Sequence, residues 1–384
     1  MSMNRIEFIQ SSQLIVIKVG SSLLVKNFHL DWSRLEKLAE NIHFLRQRGK
    51  KVILVSSGAM VCGMIRLGFD RKRSDIPFKQ AMAAVGQGIL MQNYYQVFSR
   101  YDIPVAQILL APEDVHNRHK YLNARNTFHT LLDLGVLPIV NENDTVAIAE
   151  LKFGDNDRLS ALVASLMNAQ LLLILSDIEG LYTADPKKDP EAVLVKEVVN
   201  IDKKIDNMAG QEGSTIASGG MKSKIMASRM ATFSGIGVVL ASGKDFSNIR
   251  KIFEGEEIGT FFSPQPKALK NRKRWIAFGM MTRGKVVIDQ GASQALLSNK
   301  SLLPAGIIKV EGTFDSGDCI EVVDEQGQFI AKGLVNFSSS ELEKIRGLHT
   351  QELNAIFSNQ VFEVEVVHVD NMVLFNREEK ENEK

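Results

Sequence analysis

Only two of the 384 residues are cysteine, Cys62 and Cys319, and they lie far apart in the chain. That argues against a disulfide framework and fits a reducing compartment, the cytoplasm. No apolar run approaches the ~20 residues that a membrane helix needs. The opening MSMNRIEFIQSSQ lacks a continuous apolar core of secretory type. Charge of one sign is not in excess either. The formal net charge of +1 gives no global pull toward nucleic acid or an anionic membrane. Walker A, GxGxxG after the first strand-like run, HExxH and GxSxG are all missing, so P-loop and nicotinamide chemistry lose support.

What is present is ordinary globular composition, 45% hydrophobic and 24% charged, in a chain long enough for two domains. Apolar β-branched runs alternate with helical periodicity over the first two-thirds. LIVIKVG and KVILVSS flank WSRLEKLAENIHFLRQRG; later IPVAQILL, VLPIV, LLLILSD and IGVVLAS follow helical segments. Strands apolar on both faces, separated by helices, predict an α/β fold with a mainly parallel open sheet sandwiched by helices. GTFF closes this first domain, residues 1–262. SPQPKALKNRKRW, with two prolines and five basic residues, breaks the composition and reads as a linker over 263–275. Short strands with turn signals then predict a small, mainly β domain over 276–376. The final residues, 377–384, read as a solvated, disordered tail.

In an open α/β sheet, ligands sit beyond the carboxyl ends of the strands. There the sequence offers Lys18-Val19-Gly20-Ser21, then Ser56-Ser57-Gly58-Ala59, then Asn141-Glu142-Asn143-Asp144. Ser176-Asp177 ends a further strand. Glycine lets backbone N–H groups approach an anion, and a helix N-terminus favours negative charge. SGGMKSK (218–224) repeats that pattern before a helical run, with Lys222 and Lys224 in the first turns. Lysines there oppose the helix dipole, so an anion between them is expected. GDNDRLSA (154–161) packs Asp155, Asn156 and Asp157 into one turn. A helix cap, a metal site and a seat for a cationic group all remain open on these residues alone. His116 and His119, in HNRHK, read as an exposed helix start.

Taken together, IVIKVGSSLL, VSSGAMVCG, AAVGQGILMQ, YLNAR, VLPIVNENDTVA, FGDNDRLSAL, SDIEGLYTADP and SGGMKSK resemble the glutamate 5-kinases of the amino acid kinase family, in order and spacing, over nearly the whole chain. The part beyond residue 276 is similar to a PUA domain. Ser56 and Ser218 stand where many relatives carry threonine. The resemblance implies ATP-dependent phosphorylation of the γ-carboxylate of L-glutamate to L-glutamyl 5-phosphate, the first step of L-proline biosynthesis. It also implies Mg2+ carried with ATP, feedback inhibition by L-proline, a homo-oligomer (dimer or tetramer) and contact with glutamyl phosphate reductase.

By this resemblance Lys18 and Lys224 are the ATP-binding and transition-state lysines. Gly20, Ser21, Ser176, Asp177, Ser218, Gly219, Gly220, Met221, Lys222 and Ser223 border the nucleotide. Ser57, Gly58, Ala59, Asn141, Asp144, Asp155 and Asn156 face glutamate. Two lysines at one centre repel each other, and a carboxylate between them keeps both charged and in place; that role falls to Asp157. A cap needs one of the three GDND groups, and a metal cage needs more acids than are near. A substrate-and-lysine role uses all three, and no protein metal site is expected. No general base is needed, because a γ-carboxylate is ionised at neutral pH.

Rival classes are an RNA-binding protein and other kinases of the family. Residues 276–376 carry thirteen Asp and Glu against seven Lys and Arg, net −6. Phosphate neutralisation dominates nucleic-acid affinity, so RNA binding by this domain is not expected. Asp144, Asp155 and Asn156 suit a free ammonium better than an acetylated one, which argues against acetylglutamate kinase.

Overall fold

The computed structural model describes residues 4–26, 29–69, 75–111, 114, 117–146, 156–186, 188–208, 220–265, 273, 275–349, 352 and 365–375. The chain divides into two compact units, Met1–Ala268 and Leu269–Lys384. In the first, helix α1 (Arg5–Ser11) leads to β1 (Leu14–Val19), a one-turn α2 (Ser21–Leu24) and a hairpin of β2 (Val25–Lys26) and β3 (His29–Leu30). Then come α3 (Trp32–Gln47), β4 (Lys51–Ser56), α4 (Ala59–Leu67), α5 (Ile76–Ser99), β5 (Val105–Leu110), α6 (Arg118–Asp133), β6 (Leu137–Glu142), α7 (Asn156–Met167) and β7 (Leu171–Ser176). The unit is completed by β8 (Glu197–Val198), α8 (Lys203–Met208), α9 (Met221–Phe233), β9 (Gly237–Ser242), α10 (Ser247–Glu254) and β10 (Thr260–Phe262).

Eight strands form one sheet in the order β5-β6-β4-β1-β7-β9-β10-β8. Its pairs are parallel except β9 with β10, so the GTFF segment enters as a reversed strand. Runs apolar at nearly every position make the central strands, because both faces are covered. Ile15, Ile17, Leu54 and Leu173 join one core with Leu35, Leu38 and Ile42 of α3. Each fully buried aliphatic side chain of this kind contributes about 1.5–3 kcal/mol. Helix α7 is buried along its length, Arg158 apart, so its first residues, Asn156 and Asp157, are withdrawn from water. The strand order reverses direction about β1, which puts Lys18 beside the crevice where such sheets hold ligands.

The second unit has β11 (Thr282–Ile288), α11 (Gln290–Leu297), β12 (Ile307–Gly312), β13 (Cys319–Asp324), β14 (Phe329–Leu334), α12 (Ser339–Ile345) and β15 (Met372–Leu374). Its sheet runs β12-β11-β13-β14-β15, antiparallel except for β11 with β13. Val286, Ile288, Ile320, Val322 and Leu342 fill its core. The tail at 377–384, His116 and most of the linker lie outside the described residues. Both cysteines are free and buried, and burial pushes each thiol up to about 11, which leaves them unreactive. Among the described residues, no helix is long and apolar enough to cross a membrane.

Candidate active site

Lys18 is the penultimate residue of β1, with its side chain turned to the start of α7. Its Nζ lies 2.5 Å from Asp157 Oδ1. From the other side, α9 brings Lys224 Nζ to 3.1 Å from Asp157 Oδ2. Both lysines are about 5% exposed and Asp157 is 0% exposed, so this is an ion triad out of water. Burial alone would push the Asp157 carboxyl up. The charges of Lys18 and Lys224, and their hydrogen bonds, outweigh burial and hold it below the usual carboxylate range. With the folded value lowered, the stabilising contribution is complete above the free-carboxyl value near ~4 and is lost as pH falls through the lowered one.

Two ammonium groups thus converge on one buried carboxylate, an arrangement that also suits an incoming anion. Ser223, one residue before Lys224, adds a hydroxyl 3.0 Å from Asp157 Oδ2 and 3.0 Å from Gly220 O. Gly220 caps α9; Met221 and Lys222 open it, Met221 half-buried and Lys222 exposed. Gly20, the cap of α2, stands over the Lys18 ammonium: a β-carbon there would lie 3.8 Å from Nζ. Ser21 follows as the first residue of that turn.

A second cluster lies beyond β4. Asn156 Nδ2 donates to Ser56 O at 3.0 Å, to Ser57 Oγ at 2.8 Å and to Asn141 Oδ1 at 2.9 Å. Of the residues expected at the acceptor, Ser57 and Asn141 are therefore joined through Asn156. Gly58 has φ +118°, a conformation that side chains rarely adopt, and it caps α4, which begins at Ala59. Asp144 is half-buried in the turn after β6. At the end of β7, which pairs with β1, Ser176 Oγ donates to Asp177 Oδ1 at 3.0 Å. Asp155, Ser218 and Gly219 lie outside the described residues.

Two participants were not read from the sequence as site residues. Gln87 of α5 accepts from Asn141 Nδ2 through Oε1 at 2.9 Å. Tyr94, also of α5 and 1% exposed, meets Ser56 Oγ at 2.7 Å; burial pushes its hydroxyl up, and the Ser56 hydrogen bond offsets part of that. The amide within AAVGQG was the available signal for Gln87. Among the described residues, no cluster of three or more His, Cys, Asp or Glu is spaced to hold a metal ion.

In the second unit, Glu311 is paired with both Lys285 and Lys309 at 2.9 Å. Two of its lysines are thereby engaged by one carboxylate.

The amino acid kinase family model matches residues 13–242, and the PUA domain model matches residues 284–357. The glutamate 5-kinase of Carboxydothermus hydrogenoformans is 44% identical over 371 residues, covering 96% of this chain and 99% of that protein. That of Nostoc punctiforme is 48% identical over 366 residues, covering 94% and 100%. That of Thermoanaerobacter sp. strain X514 is 45% identical over 368 residues, covering 95% and 99%.

Proposed function

The chain belongs to the amino acid kinase family, in its glutamate 5-kinase branch, and from that premise we propose that it transfers the γ-phosphoryl group of ATP to the γ-carboxylate of L-glutamate, giving ADP and L-glutamyl 5-phosphate. The observation that carries this reading is the Lys18–Asp157–Lys224 triad, two buried ammonium groups converging on one carboxylate at the edge of the sheet. Phosphoryl transfer needs alignment and charge neutralisation more than covalent help. Lys18 and Lys224 meet the transferring group from two sides. Asp157 keeps them apart, charged and aimed.

Gly20, Ser21, Ser176, Asp177 and 218–223 border the nucleotide in this reading. Ser57, Gly58, Ala59, Asn141, Asp144, Asp155 and Asn156 hold glutamate. Mg2+ arrives with the ATP phosphates. The same reading makes the protein a cytoplasmic homo-oligomer at the first step of proline biosynthesis, inhibited by proline and handing its labile product to glutamyl phosphate reductase. The PUA-domain unit, acidic and with two of its lysines held by Glu311, takes a regulatory or assembly role.

A coupled ADP-release assay across glutamate, N-acetylglutamate, aspartate and UMP, with and without proline, tests the reading. Turnover confined to glutamate and reduced by proline is expected; preference for another acceptor would overturn it. Asn156→Ala is expected to raise the glutamate KM about tenfold or more, the loss of a hydrogen bond to a charged group. An unchanged KM would return Asn156 to a purely structural role. Ser223→Ala removes a hydroxyl donor to Asp157 and is expected to lower kcat about tenfold, whereas Ser223→Thr retains the hydroxyl and most of the rate. Steady-state kinetics at saturating substrates separates the two.

A further inference from the structure

One backbone oxygen sets the sense of three side-chain amides. Ser56 O is a peptide carbonyl and can only accept, so the Asn156 atom facing it at 3.0 Å is Nδ2. Asn141 must then present Oδ1 to that nitrogen, at 2.9 Å, since two amide nitrogens would otherwise meet. Asn141 Nδ2 is left to donate, and Gln87 Oε1 accepts it at 2.9 Å. The relay therefore has a polarity. Its unused ends are an acceptor, Asn156 Oδ1, and a donor, Gln87 Nε2.

An independent contact brings the stretch of α5 that carries Gln87 against the start of α4. The backbone at Gly86 lies against Ala59 so closely that a β-carbon at 86 would be 1.8 Å from Ala59 O. Gln87 is the next residue and only half-buried. Helix α4 begins at Gly58–Ala59, where backbone amides and the helix dipole favour a carboxylate.

We propose that Gln87 is a further substrate-binding and specificity-determining residue, donating from Nε2 to an acceptor carboxylate seated at the α4 N-terminus. Asn156 Oδ1, at the other end of the same relay, accepts from the ammonium. The relay thus reads a zwitterion, one carboxylate and one free ammonium a fixed distance apart. This rests on the glutamate kinase reading and deepens it.

Three substitutions separate donor from acceptor at this position. Gln87→Glu keeps an oxygen for Asn141 but puts a negative oxygen where the donor stood. Gln87→Lys keeps a donor and loses the acceptor, and Gln87→Leu loses both. The glutamate KM is expected to rise from wild type through Lys to Leu to Glu, with Glu at least tenfold above wild type, as for a lost hydrogen bond to a charged group. The ATP KM is expected to move far less, as is kcat. A Glu variant near wild type, or a Lys variant no better than Leu, would overturn the proposal and leave Gln87 as a support for Asn141. If the Glu variant fails to fold by circular dichroism, the Lys and Leu comparison decides. Wild-type turnover is the separate check: if the unaltered protein does not phosphorylate glutamate, the underlying reading fails and this inference with it. If it does, and the variants break the expected order, only this inference fails.

Discussion

Asp157→Asn is expected to lower kcat by about a thousandfold, at the upper end of what losing one preorganised electrostatic element does to turnover. The argument starts from charge. Lys18 and Lys224 each touch one oxygen of a carboxylate that is wholly buried. Asparagine keeps the shape and one accepting oxygen but removes the negative charge. Two ammonium groups a few ångströms apart then repel by about 3–4 kcal/mol at an interior dielectric near 20. One of them must turn away, lose its proton or draw in an anion. Any of these spoils the alignment of donors on a transferring phosphoryl group, where misplacement by an ångström is felt a hundredfold.

Stability should fall as well, by about 3–5 kcal/mol, because breaking a buried ion cluster leaves uncompensated charge. Phosphate or ATP should restore part of it by supplying the missing anion. The checks are glutamate-dependent ADP release and the melting midpoint with and without nucleotide. Turnover near wild type would remove Asp157 from the mechanism, whatever the stability shows.

Much of this site could be read from the chain because it obeys a general rule of open α/β sheets. Residues at the ends of apolar strands collect at one edge, and Lys18, Ser57 and Asn141 all fit that description. Their periodicity is local and strong. What could not be read is contact between side chains far apart in sequence. Gln87 lies on a helix whose pattern reads as core, and nothing local says that it faces Asn141, 54 positions later. Resemblance puts Ser223 beside the nucleotide, but nothing local says that its hydroxyl meets Asp157, 66 positions earlier. The reversed direction of β10 was also hidden, since FF in a short apolar run reads the same in either orientation. Tyr94 shows the same limit: a buried aromatic in a helical pattern is ordinarily core, and only the 2.7 Å contact with Ser56 Oγ links it to the site.

Gly86→Ala and Gly88→Ala, two residues apart on α5, are expected to have opposite signs. In a helix interior alanine is favoured over glycine by about 0.8–1 kcal/mol, so propensity alone would stabilise both variants. At Gly88, exposed and with no atom within 4 Å of a new β-carbon, propensity is the whole effect, and a gain of about 0.5–1 kcal/mol is expected. At Gly86 the same carbon would lie 1.8 Å from Ala59 O and 2.3 Å from the Gly63 backbone nitrogen. Both are main-chain atoms and cannot swing aside as a side chain could. Gly63 repeats the constraint from the other helix, where a β-carbon would lie 1.9 Å from Met82 O. The α4–α5 crossing must therefore open, and overpacking of this kind costs about 3 kcal/mol, more than propensity returns. Opening it also shifts Gly58–Ala59 and Gln87 together, so the glutamate KM should rise while the ATP KM holds. Urea unfolding of the two variants beside wild type, with both KM values, is the measurement. A stabilised Gly86→Ala protein with unchanged glutamate KM would show that the close crossing does not position the acceptor site.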